Sequence, residues 1–171
     1  MEDKESIELF TKDAEYYDKD KKELTAILTL VNLNPDERLI DIGAGIGRLA
    51  IPLSRHLKVT AIDTNKTLID LINETSIQTI NGKIEELYPA DKYDYGLIVW
   101  AGFSNYRQIL NHVRKHILKE DGKLIIIKST EHDLKRIAMK LYPELFGKEQ
   151  GFLEVLPEYF KVDKEKRITT E

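Results

Sequence analysis

"LIDIGAGIGRL", residues 39–49, sets an acid and then three glycines at every second position: Asp41, Gly43, Gly45 and Gly47. The apolar opening, taken back to Arg38, reads as a short buried strand. Glycines packed this densely behind a strand let the backbone turn sharply and approach a ligand with no Cβ atoms in the way. Dinucleotides, nucleoside triphosphates and adenosyl cofactors all bind at such turns. The spacing has to discriminate among them.

Outward from this stretch, strand and helix patterns alternate. "VTAID" (59–63) predicts a second strand ending in an acid, and "SIQTI" (76–80) a third, closed by Asn81-Gly82. "YDYGLIVW" (93–100) is nearly all apolar after Asp94, as expected of a parallel strand covered on both faces, and "KLIIIK" (123–128) predicts the fifth. Apolar residues at 24, 27, 28 and 31 mark a helix ending near Asn34-Pro35. "LAIPLSRHL" (49–57) and "LIDLINE" (68–74) predict two more helices, with Pro52 tolerable only near a first turn. Tyr106, Ile109, Leu110, Val113 and Ile117 mark another, ended by "KEDGK" (119–123) read as a turn. Thr130 and Asp133 resemble a capping box opening a helix with Leu134, Ile137, Ala138 and Leu141 on one face. The rhythm predicts an α/β fold with a doubly wound, mostly parallel sheet. With no internal repeat or linker, residues 1–171 read as one domain.

Composition narrows the class. The 171 residues suffice for one sizeable core, and 42% hydrophobic with 33% charged residues is an ordinary globular balance. No apolar run approaches the roughly 20 residues needed to span a bilayer. The start "MEDKESIELF" lacks the basic and apolar regions of a signal peptide, so a cytoplasmic protein without a membrane partner is expected. The net charge of −4 gives no broad electrostatic reason to bind nucleic acid, which is therefore not expected as a partner. With no cysteine there is neither disulfide framework nor thiolate metal site. His112 and His116 have helical i, i+4 spacing but no third ligand, so no metal is expected.

The glycines run G-x-G-x-G, and Arg48 stands where the dinucleotide fingerprint G-x-G-x-x-G has its third glycine. No G-K-[ST] follows, which excludes a phosphate-binding P-loop. Asp41 is a poor neighbour for a pyrophosphate and a reasonable one for a cationic amine. Asp63, twenty residues beyond Gly43, can accept hydrogen bonds from a ribose diol; its rival reading is an ordinary helix cap. The pattern asks for a ribose and close backbone contact, without a phosphate cradle.

Residues 38–128 resemble the core of a class I S-adenosylmethionine-dependent methyltransferase. The resemblance is carried by "LIDIGAGIG", "VTAIDTN", "INGKIEEL", "YDYGLIVW" and "LKEDGKLIII", in the family's order and at roughly its spacing, over a little more than half the chain. The upstream "FTKDAEYYDKD" (10–20) resembles the lid of many small-molecule methyltransferases. This implies a Rossmann-like fold divided into a lid and helix (1–34), a cofactor-binding core (35–130), and a C-terminal helix with a sixth strand (131–171). The family's sheet closes with two further strands; "FKVDKEKRITTE" (160–171) supplies at most one, so the last strands are expected to be incomplete or completed by a partner subunit or second copy at the open edge.

By the same resemblance the cofactor is S-adenosylmethionine. Gly43, Ala44 and Gly45 would line its methionine portion, with Asp41 orienting the ammonium. Asp63 would hold the ribose hydroxyls, Thr64 would follow the adenine edge, Ile84 would cover the adenine, and Trp100 and Tyr17 would flank the site. Where the family often has an acid to accept the adenine amino group, this chain has Lys83, which has no acceptor. "WAGFSNY" (100–106) departs from the Pro-Pro-aromatic pattern of enzymes that methylate base amines. The implied activity is methyl transfer to a small-molecule acceptor by in-line displacement, with His132, just after the fifth strand, as candidate general base and Tyr16 and Tyr17 near the acceptor. A module that binds the cofactor without catalysis, and an NAD-dependent oxidoreductase, are the rival readings. Residues 141–157, with Tyr142, Phe146, Phe152 and Leu153, would cover the acceptor or pack on the sheet.

Overall fold

The computed structural model describes residues 7–8, 11–12, 21–99 and 105–127. Five strands fall within them: β1 (Arg38–Ile42), β2 (Lys58–Asp63), β3 (Gln78–Asn81), β4 (Tyr93–Val99) and β5 (Leu118–Ile127). They form one sheet in the order β3-β2-β1-β4-β5, and every neighbouring pair is parallel. The doubly wound α/β expectation therefore holds for the described core. β1 sits between β2 and β4, with Asp41 beside Ala61 on one flank and Leu97 on the other. After β3 the chain returns across β1 to lay down β4. Ligands of open α/β sheets bind in the crevice this reversal leaves at the carboxyl ends of the strands.

Within residues 21–127 the described helices are α1 (Lys22–Leu28), α2 (Ala50–Leu53), α3 (Lys66–Ile69) and α4 (Tyr106–His112), with a 3-10 turn at Ile84–Glu86. Beyond α4 a π-helical turn, Val113–Ile117, leads into β5. Two apolar layers cover the sheet. On one face Leu39, Val59, Ala61 and Leu97 meet Ile27, Leu53 and Ile69 from α1, α2 and α3. On the other, Ile40, Ile42, Ile62 and Ile98 meet Ile84, Ile109, Leu110 and Ile117. Strands buried on both faces have little use for polar residues, which is why β1 and β4 read as apolar runs. Each fully buried Leu or Ile contributes roughly 1.5–3 kcal/mol relative to exposure.

Three local expectations change. The helix expected over 68–74 is the shorter α3, begun earlier at Lys66, because Asn65 accepts backbone N–H bonds from Thr67 (3.0 Å) and Leu68 (3.3 Å) and so sets the start. The helix expected over 49–57 is α2, in which Pro52 sits in the first turn, where its missing N–H costs nothing. The fifth strand begins earlier than expected, at Leu118, and "KEDGK" makes its turn inside the bounds of β5, where a Cβ on Gly122 would lie 3.0 Å from the Lys119 N and O. Tyr93 pairs with Leu118 and Tyr95 with Lys123, so residues 119–122 bulge from the ladder. The irregularity puts Tyr93 and Tyr95, two residues apart, in opposite core layers. Lys119 Nζ closes the bulge on Asp94 Oδ1 at 2.6 Å. The expected C-terminal helix, residues 141–157 and the strand at 160–171 lie outside the described residues. Among the described residues no helix is long and apolar enough to cross a membrane.

Candidate active site

The loop after β1 is held from below by two backbone bonds: Gly43 and Ala44 N–H groups donate to Ile62 O at 2.9 and 3.1 Å. Gly43, Gly45 and Gly47 all have positive φ (78°, 56° and 80°). The last two serve different ends. A Cβ at Gly47 would meet Ile72 at 2.9 Å, so this glycine lets the loop pack on the core. A Cβ at Gly45 would meet nothing within 4 Å, so this glycine faces open space, as a cradle for a ligand would.

Asp63, at the end of β2, stands beside that cradle. Its Oδ2 accepts the Gly45 N–H and its Oδ1 accepts the Asn65 N–H, both at 2.8 Å. Each carboxylate oxygen keeps a second lone pair, and the residue is half-buried, so ligand hydroxyls have acceptors there. The helix cap is Asn65, which leaves Asp63 with a role between two loops. Asn81 completes the rim, its amide donating to the Asp63 and Thr64 carbonyls at 3.1 Å each. The Thr64 and Lys83 side chains are exposed, and Lys83 Nζ lies 3.6 Å from Glu86 Oε1. Ile84 is a core residue of the second layer. Glu85 and Glu86 begin the 3-10 turn, in keeping with their reading as a helix start.

Asp41 lies one strand over and 3% exposed. Burial pushes its carboxyl up to about 7; the Arg48 guanidinium pulls it down and the Asp63 charge pushes it up. Arg48 itself forms an ion pair with Glu23 of α1, Nη2 to Oε2 at 2.5 Å, with side chains 16% and 8% exposed. The residue at the fingerprint's third-glycine position thus ties α1 to the glycine loop.

The structure brings together Asp41, Gly43, Ala44, Gly45, Asp63 and Thr64, with Lys83 on the adjoining strand end. Tyr16, Tyr17, Trp100 and His132 lie outside the described residues. Glu23, Asn65 and Asn81 were missed. Asn65 carried a signal, an Asx residue just before a helical pattern, whereas nothing local distinguishes Glu23 from any solvated glutamate. His112 is buried with Nε2 2.8 Å from Leu87 O, and its ring meets those of Tyr88 and His116 at 4.9 Å. Among the described residues no group of three His, Cys, Asp or Glu is placed to hold a metal.

No protein-family model matches the chain. A putative methyltransferase from an antibiotic biosynthesis pathway of Anabaena variabilis superposes with a TM-score of 0.64 over 82% of this chain and 61% of that one, at 20% identity, which speaks to the fold. Ribosomal RNA small subunit methyltransferase G of Oenococcus oeni is 31% identical over 151 residues, 78% of this chain. The chain spans 61% of that relative's length. This relative acts on nucleic acid by its name, so the expectation that charge sets nucleic acid aside as a partner is corrected: a net charge of −4 does not report on local surface. A probable cobalt-precorrin-6B C(15)-methyltransferase (decarboxylating) of Methanococcus maripaludis is 30% identical over 130 residues, covering 65% of this chain and 70% of the relative. With the parallel sheet, the glycine loop and the two acids in register with it, these similarities establish that the chain belongs to the class I S-adenosylmethionine-dependent methyltransferases.

Proposed function

We propose that this chain binds S-adenosylmethionine at the carboxyl ends of β1 and β2 and transfers its methyl group to a small-molecule acceptor. One observation supports the reading: a buried carboxyl at Asp41, an open position at Gly45 and a half-buried carboxylate at Asp63 lie together at the carboxyl ends of β1 and β2. The donor set suits an adenosyl amino acid better than a dinucleotide, since it offers two acids and no phosphate cradle. When bound, the cofactor supplies an electrophilic methyl group on a sulfonium centre.

Ionised Asp41 would receive the ammonium, and the Gly43–Gly45 backbone would lie against the methionine portion. Asp63 would accept the ribose hydroxyls through its free lone pairs. Thr64, Lys83 and Ile84 would border the base, and because Lys83 has no acceptor, base recognition would fall to backbone groups or another side chain. Tyr17 and Trp100 would flank the site, and His132 would take a proton from the acceptor where its chemistry needs one. Residues 35–130 would form the cofactor core, with 1–34 as lid and helix and 131–171 on the acceptor side.

The precorrin relative favours a small acceptor, because this chain spans 70% of its length. A ribosomal RNA acceptor is the second reading, favoured by the 31% identity to the Oenococcus protein. The test is calorimetric titration with S-adenosylhomocysteine and with NAD, on wild type and Asp63→Ala, followed by methyl-transfer assays on corrinoid precursors and on ribosomal RNA. Affinity on the order of micromolar for the homocysteine ligand, weakened at least about tenfold by the substitution and absent for NAD, is expected. No binding of S-adenosylhomocysteine by the wild type would refute the reading.

A further inference from the structure

We infer that Asn81, at the carboxyl end of β3, selects the ligand's base, its amide oxygen accepting a hydrogen bond from the exocyclic amino group of adenine. The inference rests on the cofactor reading above and deepens it. That reading lays the ligand across the strand ends in order, with the amino-acid portion on the β1 loop and the ribose on Asp63 of β2. Asp63 and Asn81 are register partners in the parallel β2–β3 pair, and β3 is an edge strand of the described sheet. Neighbouring strands lie roughly 4.8 Å apart, so the group beyond the ribose meets the end of β3.

The way its amide is held prepares Asn81 for this part. Nδ2 donates to the Asp63 and Thr64 carbonyls at 3.1 Å each, and the Gly82 N–H donates to the same Asp63 carbonyl at 3.0 Å. Both amide hydrogens are thereby engaged. Turning the amide over would set its oxygen against two carbonyl oxygens, so the orientation is fixed. Oδ1 is left over: it accepts no hydrogen bond among the described residues, and the residue is exposed.

An acceptor locked in this way matches an amino group and opposes a carbonyl. Adenine carries an amino group where hypoxanthine, a purine of the same shape, carries an oxygen. The other exposed side chains at this end of the sheet do not make that choice. Lys83 has only donors, and its ammonium lies 3.6 Å from Glu86 Oε1. The Thr64 hydroxyl both donates and accepts, so it serves either base.

The experiment compares two probes that differ at the amino edge of the base, S-adenosylhomocysteine and S-inosylhomocysteine. Both are titrated calorimetrically against wild type, Asn81→Ala and Asn81→Asp. Wild type should prefer the adenosyl probe about tenfold, and Asn81→Ala should lose most of that preference. Asn81→Asp keeps an acceptor but no donors, so both probes should bind it more weakly with the preference retained. A general loosening of the strand ends would weaken both probes alike in Asn81→Ala and leave the ratio unmoved.

An unmoved ratio in Asn81→Ala overturns the inference, as does a wild type that binds both probes equally. Where Asn81→Ala fails to fold, Asn81→Asp decides, because a lost preference with the acceptor still in place overturns it too. Failure of the wild type to bind either probe would instead overturn the cofactor reading itself.

Discussion

Replacing Asp41 by asparagine should stabilise the ligand-free protein while abolishing its preference for an ammonium-bearing ligand. The folded carboxyl titrates near 7, and an unperturbed aspartate near 3.9. Folding therefore raises this group's affinity for a proton by about three units, and at about 1.4 kcal/mol per unit the ionised form costs about 4 kcal/mol. The sign follows from proton uptake. Between about pH 4 and 7 the native state binds more protons than the unfolded one, so stability falls as pH rises through that window and is level above it. Asparagine carries no charge and avoids the cost. At pH 8 the variant should be more stable by about 2–4 kcal/mol, allowing for relaxation around the buried charge, or roughly 4–16 °C in Tm for a domain of this size. The gain should shrink toward pH 4. Thermal melts of both proteins from pH 4 to 8, without ligand, test this. A variant no more stable than wild type at pH 8, or a gap independent of pH, would refute the claim that Asp41 is held ionised at a cost.

Two further outcomes follow from local geometry. Gly45→Ala and Gly47→Ala both place an L-residue at positive φ, costing about 1–2 kcal/mol each. Gly47→Ala must also displace Ile72, so it should melt lower than Gly45→Ala, whereas Gly45→Ala should lose more S-adenosylhomocysteine affinity because its methyl group enters the cradle. Asp94 is held below the usual carboxylate range: burial alone would raise it, but the Lys119 ammonium and the Arg38 N–H together outweigh burial. Its stabilising contribution is present above about pH 4 and lost as pH falls through the lowered folded value. Asp94→Asn should therefore lower Tm at neutral pH, with the gap closing in acid.

How far the sequence could be read depended on how local the deciding physics was. Strand existence is carried by contiguous apolar residues, and β1, β2 and β4 lie within one residue of their expected bounds. The glycine loop was legible because positive φ is a property of single residues. Helix lengths were not: α2 spans Ala50–Leu53 and α3 Lys66–Ile69, about one turn each, and apolar periodicity does not register where a helix stops. The β5 bulge was hidden for a related reason. "KEDGK" has the composition of a turn and does turn, but only the pairing of Tyr93 and Tyr95 with Leu118 and Lys123 shows that the strand has already begun before it, at Leu118. Glu23 is the extreme case, its partner lying 25 residues away on a different element.

The two acids of the crevice stand in opposite relations to stability, and that difference distinguishes a binding group from a structural one. Asp63 receives backbone N–H groups from both flanking loops, so the fold uses the same charge that a ligand's hydroxyls would use. Removing it should weaken the loops and the ligand together, and its effect on binding alone says little about direct contact. Among the described residues Asp41 takes no such side-chain bonds, and it lies buried where its charge opposes folding. A purely structural role would be served as well by an apolar residue or by asparagine. An ionised carboxylate there is compensated in part by the Arg48 guanidinium and more fully when a ligand cation arrives. Ligand binding and folding are then linked at a single group: the ammonium-bearing ligand should stabilise the wild type progressively more as pH rises toward 7, and should lose that pH dependence when residue 41 is asparagine.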